Sequence, residues 1–109
     1  MRMWMVDPGR MCRQHLLGEH NECHMLAGCL ARGKRIDGYV ERGLVETAAL
    51  EARHDQLARE MLLRGYQHKS PLLNVTSDHR GHVDRDESEA ELKRRCPNCR
   101  RLLEHEGKL

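Results

Sequence analysis

Along the first third of the chain, residues 12, 16, 19/20, 23, 26/27 and 30 fall on one stripe at helical spacing. The pattern predicts a first helix from Pro8 or Gly9 to Arg32. Asp7 suits the N-cap and Pro8 the first helical position, where no amide hydrogen is needed. Gly33 suits the residue after the helix, with Arg32, Lys34 and Arg35 complementing the negative helix end. Gly18 and Gly28 each weaken that helix by roughly 1 kcal/mol against Ala, which points to close helix packing or to close approach of a substrate backbone. Residues 33–44 read as a connector with one turn of helix, punctuated by Gly33, Gly38 and Gly43, with Tyr39 and Val40 inward.

A second helix is expected from about Val45 to Arg64, with Leu50, His54, Leu57, Ala58 and Met61 as its apolar stripe and Gly65 as its end. A long polar loop then runs to about Asp86. Ser88 is the expected N-cap of a third helix, Glu89–Arg95, with Ala90 and Leu92 inward. Cys96-Pro97-Asn98-Cys99 interrupts it before a last turn holding Leu102 and Leu103. There is no repeat and no strand pattern. The expected fold is all-α, a single domain of about three helices with a long polar loop before the last one. Residues 1–66 form its helical core, and 67–109 supply the loop and a basic, cysteine-containing C-terminal helix.

Composition sharpens this picture. The chain has 109 residues, no Phe and only 3% aromatics, so Leu, Met, Ala and Val must fill a thin core. Charged residues make up 33% and mean hydropathy is −0.79. No apolar run approaches the ~20 residues of a membrane span, and no leader pattern precedes a cleavage site. A cytoplasmic protein is expected, and five cysteines in that compartment point to thiols or metal ligands rather than disulfides. Cys12, Cys23 and Cys29 follow the first helix and are expected in the core, as is Trp4. The net charge of +2 is small, but Lys93, Arg94, Arg95, Arg100 and Arg101 cluster near the C-terminus. They form either a solvated helix face or a set of phosphate contacts.

Cys96 and Cys99 have the spacing of half a tetrahedral zinc site. The other half would come from His79 and His82, or from His68 or His105. The alternative is a plain or redox-sensitive thiol pair. Zinc here would be structural, tying the long loop to a small core.

Two further features could carry chemistry. An α-amine ionises near pH 8, so a usable fraction is neutral at physiological pH and can form imines. Arg2 predicts that Met1 is retained, because methionine removal favours small second residues. His15, Glu19 and Glu22 form a polar strip on the first helix, which is either a solvated face or a buried acid/base group.

The ordered set Met1-Arg2, Gln14-His15-Leu16, Glu19 and Glu22 resembles, without a gap, the phage pyrimidine-dimer DNA glycosylase/AP lyase (endonuclease V) family. Gly33-Lys34-Arg35 and Leu63-Arg64-Gly65-Tyr66 extend the resemblance to about residue 66. The resemblance implies a glycosylase with AP-lyase activity that excises a damaged or modified base through a Schiff base on the Met1 amine. Glu22 matches the catalytic glutamate, and Arg2 matches a basic residue that holds a phosphate. Gln14, His15, Lys34 and Arg35 are implied DNA contacts, and Arg94, Arg95 and Arg100 are added from the basic C-terminal helix. The implied partner is double-stranded DNA with a lesion or abasic site, bound by a monomer that needs no cofactor for catalysis.

The chain also departs from the family. Asn21 and Met25 stand where two family arginines lie on the first helix, Met1 replaces a threonine, and the aromatic C-terminal tail is missing. A non-catalytic DNA-binding module, zinc-stabilised or not, and a protein whose polar face binds another protein are the competing readings.

Overall fold

A computed structural model describes residues 1–68, 70–72 and 77–105. Among these residues the regular structure is entirely helical: α1 (Arg13–Ala31), α2 (Asp37–Glu41), α3 (Leu50–Leu63), α4 (Arg85–Arg95) and α5 (Pro97–Glu104). The all-α expectation holds, with five helices where about three were expected.

The first helix starts later than its pattern suggests. Asp7 does cap a turn, accepting from the Gly9 amide at 2.9 Å, but the turn is a single 3₁₀ turn, Pro8–Arg10. Met11 is then extended and fully buried. The Arg64 guanidinium reaches across from the end of α3 and donates to Pro8 O at 3.0 Å and Met11 O at 2.7 Å. Those carbonyls serve a tertiary contact instead of a continuing helix. Cys12 becomes the N-cap of α1, its sulfur accepting from the His15 amide.

Helix α1 turns Leu16, Glu19, His20, Cys23, Leu26 and Ala27 inward and packs against α3, which answers with Leu50, Arg53, His54, Leu57, Ala58 and Met61. It ends at Arg32, and Gly33 turns the chain with a φ of 67°, a conformation costly for other residues. Glycine packing does not hold for Gly18 or Gly28. A Cβ on Gly18 would meet nothing within 4 Å, and one on Gly28 would meet only the side chain of Arg32.

The second predicted helix also begins late. Thr47 donates from its amide to Arg80 O and from its hydroxyl to Asp78, so the start of the segment is tied to the loop 77–83, and α3 follows only from Leu50. Gly81 makes that crossing possible: its φ is 82°, and a Cβ there would lie 2.3 Å from Val45 O.

The third predicted helix begins earlier than expected. Asp84, not Ser88, caps α4 by accepting from the Glu87 amide at 3.0 Å. Ser88 is buried and donates to Trp4 O at 2.5 Å. Cys96 is extended, because the residue before a proline avoids helical geometry, and it closes α4 while capping α5. The core joins α1 and α3 to the N-terminal segment through Met3, Trp4 and Val6, and to the C-terminal helices through Leu92, Cys99 and Leu103. No helix among the described residues is long and apolar enough to cross a membrane.

Candidate active site

The N-terminal segment is anchored before it reaches any chemistry. The Met3 amide donates to Leu44 O at 2.7 Å, and the buried Met3 sulfur accepts from the Glu46 amide at 3.4 Å. Trp4 is buried and held by Ser88. With residues 3 and 4 fixed, Met1 and Arg2 have little freedom, and both meet the middle of α1. The Met1 amine lies 3.9 Å from Glu22 Oε1, and the Arg2 amide donates to the same oxygen at 2.6 Å. The Glu22 carboxylate is still 30% exposed, which leaves a face open to solvent or substrate.

The Arg2 guanidinium stacks over the Trp4 indole at 4.0 Å, and Arg95 approaches the same ring at 6.0 Å. Burial and the neighbouring Arg95 lower the pKa of Arg2, against the opposing pull of Glu22. Arg2 also lines a groove of about 470 Å³ together with Arg42, His82, Glu87 and Arg94.

The polar strip of α1 divides by depth. Glu22 faces the amine, whereas Glu19 is buried against α3 and takes two hydrogen bonds from Arg53, at 2.7 and 2.9 Å. Arg53 also donates to Gln56 at 2.7 Å. Glu19 is therefore half of an internal ion pair, not an acid/base group facing substrate. Gln14 is exposed and shares a cleft of about 620 Å³ with Gly18 and Asn21.

The basic residues are spread over the surface. Lys34 and Arg35 are exposed beyond the end of α1, Arg35 pairing with Asp37 at 2.9 Å. Arg94 and Arg95 both pair with Glu91 on their own helix. Arg100 is exposed on α5. Of the predicted DNA contacts, Arg2 and Arg94 line the groove and Arg95 approaches Trp4, whereas Lys34, Arg35 and Arg100 are not among the groove's lining residues.

The pairing expected for the C-terminal thiols is corrected. Cys96 and Cys99 meet Cys12 and His15, not His79 and His82, and the ligand atoms of these four lie within 4.8 Å of one another. His82 turns away to Glu46 at 3.3 Å, drawn by a carboxylate that also binds Arg85. Cys12, expected among the core cysteines, is half-buried at the N-cap of α1, while Cys23 is fully buried. The spacing Cys12-x-x-His15 with Cys96-x-x-Cys99 was a readable signal, hidden because Cys12 also fits the apolar stripe. His15 turns its ring to the Cys12 sulfur at 3.3 Å and stands edge-on to Trp4 at 5.9 Å between centroids.

A second cluster had no counterpart in the sequence pattern. His20 and His24 on α1, His54 on α3 and His68 in the following loop bring four imidazoles within 4.8 Å by their ligand atoms. Burial, then His54, His24 and His68, push His20 down to about 4.

On an all-α scaffold, an amine held against a carboxylate, beside a groove lined by Arg2, Arg42 and Arg94 together with Asp84, Glu87 and Glu91, has the makings of a small DNA-repair glycosylase. The family comparison agrees. The family model for pyrimidine dimer DNA glycosylase matches residues 1–74, and the chain belongs to that family. Its substrate is therefore DNA. Helices α4 and α5 lie beyond the matched residues. No match was found among curated proteins or solved structures.

Proposed function

We propose that this glycosylase is also an AP lyase, working through an imine on the Met1 amine. The observation that carries the reading is the convergence of the Met1 amine and the Arg2 amide on one oxygen of Glu22. A neutral α-amine attacks C1′ of the damaged nucleotide, and the glycosidic bond breaks with its electron pair leaving on the base. The C1′–O4′ bond then opens, O4′ takes a proton, and a protonated Schiff base remains. Glu22 stabilises that cation and accepts the C2′ proton. The resulting enamine expels the 3′ phosphate, and water releases the amine. In this reading Arg2, which stacks on Trp4, holds a phosphate flanking the lesion. Reaching C1′ requires distorting the duplex, a cost of a few kcal/mol that is smallest at a lesion.

The test is borohydride trapping on duplex DNA carrying an abasic site. A covalent complex is expected with the free N-terminus and lost when Met1 is acetylated. Glu22→Gln, which keeps an acceptor for the Arg2 amide, should bind DNA but no longer cut it. Binding without trapping on abasic-site or dimer-containing DNA would refute the imine mechanism and leave a DNA-binding module.

A further inference from the structure

We propose that Cys12, His15, Cys96 and Cys99 hold a structural zinc ion that clasps the C-terminal helices to the N-terminal end of α1. The distances match such a site. Zinc–sulfur bonds of about 2.3 Å set tetrahedral sulfur–sulfur edges of about 3.8 Å and sulfur–nitrogen edges of about 3.5 Å. Cys12 Sγ lies 3.8 Å from Cys96 Sγ and 3.3 Å from His15 Nδ1. The sulfurs also have the amide donors that zinc thiolates use. Cys12 N–H points at Cys99 Sγ, and Cys99 N–H at Cys96 Sγ, each at 3.3 Å. Three thiolates and one imidazole fill a tetrahedron, so the site is closed and its role is structural.

Its placement gives it a consequence for the enzyme. Two ligands come from the family-matched part and two from α4–α5 beyond it. His15 also abuts Trp4, on which Arg2 rests. The clasp therefore joins the two parts of the chain and braces the residues that position Met1. It does not depend on the imine mechanism, since it rests on a separate set of side chains.

Cobalt(II) added to the untagged, full-length protein tests the site. Thiolate-to-cobalt charge-transfer bands with strong tetrahedral d–d bands are expected, and a mercurial thiol reagent should release zinc from the protein as purified. Cys99→Ser should lose the charge-transfer intensity of one thiolate, while Cys29→Ser should keep the full spectrum. A helical, folded wild-type protein that gives no charge-transfer bands and carries less than about a tenth of an equivalent of zinc overturns the proposal, whatever the variants do.

A different observation carries a second site. The structure assigns His20, His24, His54 and His68 to a transition-metal site of the imidazole-ligating kind, zinc or its neighbours. Among the described residues His24 Nε2 is buried without a hydrogen-bond partner, while His20 Nε2 and His68 Nε2 approach to 2.9 Å. The Asp55 carboxylate sits 3.0 Å from His54 Nδ1, the arrangement that orients a metal-bound histidine, and His54 Nε2, now 3.2 Å from Ser70 O, would exchange that carbonyl for the metal. Continuing the cobalt titration separates the two sites. A second equivalent should bind with d–d bands but no thiolate charge transfer, and His24→Ala should weaken that step at least tenfold while sparing the first. Saturation of folded wild-type protein at one equivalent overturns this second site.

Discussion

Replacing Glu19 by Gln should strip the fold of stability without touching the chemistry. The Glu19 and Arg53 side chains are 0% and 2% exposed, and two hydrogen bonds of 2.7 and 2.9 Å join them. Gln is nearly the same shape and keeps one acceptor oxygen, but it turns an NH2 donor toward Arg53 in place of the second oxygen and leaves the buried guanidinium without a counter-charge, its other partners being the neutral Gln56 and the Met11 sulfur. Breaking a buried pair from one side costs about 3–5 kcal/mol. A domain of this size has about 5–15 kcal/mol in total, so the expected fall in Tm is on the order of 10–30 °C. Thermal unfolding followed by circular dichroism measures it. Replacing both partners by apolar residues, Glu19→Leu with Arg53→Met, should recover most of the loss, because no charge is then stranded. Glu22→Gln, three residues along, should leave Tm within about 1 kcal/mol equivalent of wild type, since Glu22 is part-exposed. A Glu19→Gln protein as stable as wild type would refute the assignment of Glu19 to an internal ion pair.

Other perturbations follow from the same geometry. Gly81→Ala should destabilise by more than about 1 kcal/mol in urea unfolding, because a Cβ would collide with Val45 O at a positive φ; an unchanged midpoint would contradict that crossing. Gly18→Ala should instead raise stability by up to about 1 kcal/mol, since its Cβ enters open space on a helix. The Glu46 carboxyl is held below its ordinary range by the Arg85 hydrogen bond, against burial and with help from the Val83 amide. Its stabilising effect is therefore present above the unfolded glutamate pKa of about 4.3 and lost as pH falls through the lower folded value. The stability gap between wild type and Glu46→Gln should shrink as pH drops from about 6 to about 3, and parallel urea curves would refute it. Burial raises the Cys23 thiol to about 12, against the pull of Arg53, so iodoacetamide should label it only on unfolding.

The sequence by itself determined the helical class, the stripes of α1 and α3, the turn at Gly33 and the ordered set that places Met1, Arg2 and Glu22 in the family. These features rest on local periodicity, backbone conformation and fixed spacing, which a linear chain displays. Tertiary structure decided what required two distant segments at once. Arg64 held Pro8 and Met11 out of the first helix, and Arg53 drew Glu19 inward while Glu22, on the same polar strip, stayed at the amine. Cys12 and His15 met Cys96 and Cys99 across more than eighty residues of chain, and His54 left its apolar stripe to join three other imidazoles. A histidine or cysteine on a buried helix face reads the same whether it faces leucine or another ligand. Only packing, which brings the opposing face to it, tells the two apart.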